Sequence, residues 1–117
     1  IEDDAIVEVS ARITRHGAEP LAFGHMEPAV RGMVQLMKAM EETIIEAALT
    51  GNYGKALEAF QINPLVKHGQ CAQDLLDEML VAHKKYLPQF AEKIAELEAK
   101  GVTVQDALAK ELCDKGL

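Results

Sequence analysis

The 117 residues suffice for one domain and leave no room for two. Hydrophobic residues make up 49% of the chain but aromatics only 4%, with no Trp, so the core must come from aliphatic side chains, Ala and five Met, a palette that favours helices. A formal net charge of −7 with no basic stripe argues against nucleic acid and anionic membranes as partners, and no apolar run approaches the roughly 20 residues of a spanning helix.

The chain opens at Ile1, without Met and with an acidic start, so a signal peptide is not expected and the cytoplasm is the expected compartment. A preceding N-terminal piece is expected as well. Residues 6–15 (IVEVSARITR) alternate apolar and polar side chains, the period of a strand. His16-Gly17-Ala18-Glu19 reads as a turn, and Pro20 to Phe23 as a short returning arm. A lone hairpin is barely stable in water, and the chain offers no other convincing strand.

The longest helix is expected over Pro28 to Thr50, with Pro28 suited to its first turn and Gly51-Asn52 to its end. Val30, Met33, Val34, Met37, Ile44, Ile45 and Ala48 fall on one apolar face. A second helix spans Tyr53 to Ile62 and ends before Asn63-Pro64. The third runs from Gln70 to Tyr86, with Ala72, Leu75, Leu76, Met79, Leu80 and His83 on one side. Pro88 opens a fourth through Phe90, Ile94 and Leu97, stopped by Gly101. Thr103 with Asp106 resembles a capping box for a fifth, bearing Val104, Ala107, Leu108 and Leu112. The expected fold is mainly α: an N-terminal β-hairpin over residues 1–24, then about five packed helices over 28–117.

No catalytic constellation assembles from these residues. His68 and Cys71 share a three-residue spacing, but two ligands do not make a zinc site, and a surface His beside a half-buried Cys is the plainer reading. His16 and His25 sit in loops. No Glu-x-x-His pair supports a di-metal bundle site, and His83 on an apolar stripe reads as a packed histidine. Gly51-Asn52-Tyr53-Gly54-Lys55 lacks the spacing of a phosphate loop and reads as a helix stop. Cys71 and Cys113 are expected to be free thiols. No catalytic, cofactor or metal residue is therefore assigned. The apolar face of the first helix, at Met33, Met37, Met40 and Ile44, is the candidate interface.

Two stretches carry further information: DDAIVEVSARITRHGAEPLAFG from Asp3, and residues 41–66 with EAALTG, KAL and NPLV in order. With Leu75-Leu76-Asp77-Glu78 and Tyr86-Leu87-Pro88-Gln89-Phe90, this string resembles the C-terminal portion of family 4 glycoside hydrolases, and within them the 6-phospho-β-glucosidases. Ser10 stands where the family commonly has Pro, and residues after Phe90 do not align.

The resemblance implies a parent enzyme with an NAD-binding Rossmann domain upstream and a divalent metal, typically manganese, held by a Cys and a His. NAD would oxidise the sugar at C3, a Tyr would take the C2 proton, and the aglycone would be eliminated. Such NAD-dependent members stand outside the two-carboxylate rule for glycosidases. The residues of that machinery lie upstream in the family, so none is assigned here. This chain would be a structural and oligomerisation element, inactive alone, in a homo-oligomer acting on a phosphorylated disaccharide. A standalone helical interaction or dimerisation module would explain the amphipathic helices equally, but neither the hairpin nor the ordered motifs.

Overall fold

The computed structural model describes residues 5–22, 24–66 and 69–105. Strand β1 (Ala11–Thr14) pairs antiparallel with β2 (Gly17–Pro20), with Ala11 opposite Pro20 and Thr14 opposite Gly17. The turn is therefore the two residues Arg15 and His16, earlier than the expected 16–19, and the returning arm begins at Gly17. A two-residue hairpin loop needs a residue tolerant of positive φ near its end, and Gly17 sits at φ 113°. Thr14 Oγ1 closes the loop, accepting the His16 N–H at 3.1 Å and donating to the Gly17 carbonyl at 3.2 Å. Leu21 N–H to the Ser10 carbonyl, at 2.9 Å, extends the pairing.

Helix α1 (Pro28–Thr50) and helix α2 (Tyr53–Ile62) keep the expected bounds. Gly51 ends α1 in the left-handed region at φ 71°, returning its N–H to the Ala47 carbonyl at 2.8 Å. Asn52 then caps α2 through Oδ1, which accepts the Lys55 N–H at 3.1 Å. This two-residue corner folds α2 back along the last turns of α1.

Helix α3 (Gln70–Ala82) is shorter than expected, because residues 84–86 form a 3-10 turn. Pro88 disfavours helical backbone at Leu87 (φ −122°, ψ 55°) and so bounds the helical run downstream. The chain tightens ahead of it, with Tyr86 N–H on the His83 carbonyl at 2.8 Å. Pro88–Phe90 is a second 3-10 turn, leading into α4 (Ala91–Ala99). That helix closes with paired bonds from Val102 N–H to the Leu97 carbonyl and from Gly101 N–H to the Glu98 carbonyl, both 3.0 Å. This is the Schellman pattern, and Val102 packs on the core as that motif favours. The described residues hold four α-helices. The expected fifth lies mostly outside them; its described start, 103–105, is not helical.

The core is Ala47, Ala56, Leu76, Leu80, Phe90, Ile94 and Leu97, with Ile44, Tyr53, Leu57 and Phe60 packed against it. Small residues at the α1–α2 contact, Ala47 and Ala56, let the two helices approach closely. The chain as a whole is elongated, 53 × 33 × 27 Å. The radius of gyration is 18.4 Å, against about 13 Å for a compact domain near this length.

Candidate functional site

The length mismatch between α1 and α2 decides which part of the apolar face is covered. At 1.5 Å per residue, the 23 residues of α1 span about 35 Å and the 10 of α2 about 15 Å, leaving roughly 20 Å of α1 beyond its partner. Ile44 lies under the covered end, half-buried against the core. Met37 and Met40 are half-buried, and Met33 is 63% exposed. The structure therefore splits the four candidate residues between core and surface. Val30 (55% exposed) and Leu36 (40%) join Met33 on the bare strip. Leu36 escaped the sequence reading, although it stands one turn from Met33. Ile45, placed on the apolar face from sequence, is instead 57% exposed, rotated away from Ile44 by the 3.6-residue period.

Beside the covered end lies an open groove of about 420 Å³. Its walls include Ile44 and Ala48 of α1, Phe60 of α2, Met79 of α3, and His83 and Tyr86 at the bend that follows it. His83 is not a packed core histidine, since it caps α3 and is exposed at this rim. The groove depends on the 3-10 turns, which no periodicity in the sequence signals.

A third cluster ties α2, α3 and α4 together. Tyr53 Oη donates to Asp77 Oδ1 at 2.6 Å, and Lys93 Nζ lies 4.4 Å from the Tyr53 ring centroid. Burial, then the hydrogen bond to Asp77, then its negative charge push the phenol well above its ordinary value of 10. A phenol raised in the folded state lends stability that is complete below pH 10 and is lost as pH climbs from there toward the folded value. Alkaline ultraviolet titration should show a late tyrosinate step that Tyr53→Phe abolishes. Asp77→Ala should shift the step down and cost about 1–2 kcal/mol in urea unfolding. A step unmoved by Asp77→Ala would refute the coupling.

Among the described residues no three His, Cys, Asp or Glu side chains converge on a point. Cys71 is a free, exposed thiol rather than half-buried, while His68 and Cys113 lie outside the described residues. The described residues thus do not fit a divalent metal. No helix among them is long and apolar enough to cross a membrane.

The sequence of residues 1–66, through the hairpin, α1 and α2, matches the family 4 glycosyl hydrolase C-terminal domain. The chain belongs to the family 4 glycosyl hydrolases, as part of their C-terminal domain. It is 51% identical over 94 residues to a Bacillus subtilis (strain 168) protein named "Probable 6-phospho-beta-glucosidase", covering 80% of this chain and 21% of that protein. It is 37% identical over 99 residues to the 6-phospho-β-glucosidase of Escherichia coli (strain K12), covering 84% of this chain and 22% of the relative. A phospho-α-glucosidase of Clostridium acetobutylicum is 34% identical over 86 residues, 74% of this chain and 19% of the relative. The chain thus spans about a fifth of the length of these relatives.

Proposed function

We propose that this chain is the C-terminal, non-catalytic part of a cytoplasmic 6-phospho-β-glucosidase. The parent cleaves phosphorylated β-glucosides, such as a phosphorylated disaccharide, by an NAD- and divalent-metal-dependent oxidation–elimination route, and works as a homo-oligomer. The support is the 51% identity to a protein named as a 6-phospho-β-glucosidase, reaching past the hairpin into the helical array. The catalytic groups, the Rossmann domain and the metal, manganese by expectation, belong to the rest of the parent. This chain's part is structural: its helices carry the apolar strip at Val30, Met33 and Met37 against which the rest of the assembly packs.

A chromogenic 6-phospho-β-glucoside tests the proposal. The full-length parent should turn it over only with NAD, lose activity on dialysis against a chelator, and recover it with manganese. The isolated 117-residue chain should neither hydrolyse the substrate nor bind NAD. Turnover by the isolated chain, or by a parent stripped of NAD, would sink the cofactor reading. A parent that prefers 6-phospho-α-glucosides would overturn the β assignment alone.

A further inference from the structure

Two bare surfaces lie beside each other in this fold. One is the overhanging strip of α1, with Val30, Met33 and Leu36 exposed. The other is the hairpin: among the described residues β1 pairs with β2 alone, leaving both outer edges open, and Ile6, Val7, Val9 and Ile13 are exposed. A hydrogen bond ties the two together. Lys38 Nζ donates to the Ile6 carbonyl at 2.6 Å and to Glu41 Oε2 at 2.5 Å. The backbone entering the hairpin is thereby pinned against α1, between Leu36 and the region that α2 covers.

This step rests on the reading of the chain as the C-terminal part of a longer enzyme. Given that reading, we infer that the strip Val30, Met33, Leu36 and Met37, with the open hairpin edge, receives the parent's own upstream polypeptide and not a second copy of the chain.

Three observations favour that occupant. The relatives are about five times as long as the matched segment, and a C-terminal domain has that remainder ahead of it. The remainder joins ahead of Ile6, whose carbonyl Lys38 holds against α1. A segment tethered there by a short linker is present at an effective concentration in the millimolar range, far above that of a free second copy. Finally, strands of four residues in a two-stranded sheet do not support themselves in water. An upstream strand supplies the missing ladder and an apolar face for α1 at once.

The test uses the full-length parent with methionine replaced by its diazirine analogue, irradiated in the native state. The carbene formed at Met33 inserts into whatever packs on it. Denaturing electrophoresis separates within-chain from between-chain products, and peptide mass spectrometry identifies the partner, with Met33→Leu as the control that removes the signal. The expected product runs at the mass of one chain and joins the peptide containing residue 33 to an upstream peptide. A product of twice that mass, linked through residue 33, would overturn the inference in favour of a contact between copies. Quenching of the residue 33 carbene by water alone would overturn it too, because the strip would then face solvent. A reading frame that starts with this chain, with no upstream polypeptide, would remove the underlying reading itself, a result distinct from all three.

Discussion

Gly51→Ala should destabilise the fold by about 3–5 kcal/mol, placing it among the most damaging single substitutions available. A Cβ on Gly51 would lie 2.1 Å from the Gln89 carbonyl oxygen and 2.9 Å from its carbon. Neither atom is the end of a flexible side chain. Gln89 belongs to the 3-10 turn Pro88–Phe90, so relieving the clash displaces the buried Phe90 along with it. The left-handed φ of 71° adds about 1 kcal/mol for any residue with a Cβ. Gly101→Ala is the matched control: it closes α4 at φ 85°, but nothing lies within 4 Å of the added methyl. It should lose only the conformational part, about 1 kcal/mol. Urea unfolding of both variants, followed by circular dichroism, separates the two contributions. Equal losses at the two positions would mean that the corner does not touch the Gln89 backbone, and the packing of α1 against the second 3-10 turn would have to be redrawn.

The elements most legible in the sequence are those whose ends are written in local chemistry. Pro28, Gly51-Asn52 and Asn63-Pro64 bracket α1 and α2, and both helices stop where those residues place them. The end of α3 was less legible because Lys84, Lys85 and Tyr86 continue the helical pattern. The early finish comes at His83, whose backbone (φ −102°, ψ 16°) leaves the α-helical range, and Pro88 bars any return to helix at Leu87. The hairpin turn moved because Ala18 and Glu19, poor strand formers by composition, gain ladder partners in Ile13 and Arg12. The candidate interface was half legible for a related reason. A 3.6-residue period identifies the apolar face of α1, but not how far along it α2 reaches. That limit separates bare Met33 from covered Ile44, and it is set by the length of another helix. The groove was not legible, since Ile44, Phe60 and Tyr86 meet only after the chain has bent twice. Family membership was legible from the ordered motifs between Asp3 and Phe90, which need no geometry at all.

Phe90→Ala should cost about 3–4 kcal/mol, whereas Tyr86→Ala, four residues earlier on the same groove, should cost about 1 kcal/mol or less. Phe90 is 5% exposed and joins Leu76, Leu80, Ile94 and Leu97 in the core, while Tyr86 is 62% exposed at the rim. Phe90 is also the one aromatic among the buried residues described, and four of the other eight are alanines. Alanines hold the helices at a spacing that cannot close much further, so the surroundings have little room to collapse into the space a deleted ring leaves. One effect works the other way. Phe90 lines the open groove, so the new space connects to solvent and fills with water, which holds the cost near the lower end of the range for Phe→Ala. Thermal and urea unfolding of the two variants decide the matter together. A Phe90→Ala loss no larger than that of Tyr86→Ala would show that the helices are not organised around this ring. The junction of α2, α3 and α4 would then be held by the Tyr53–Asp77 cluster instead.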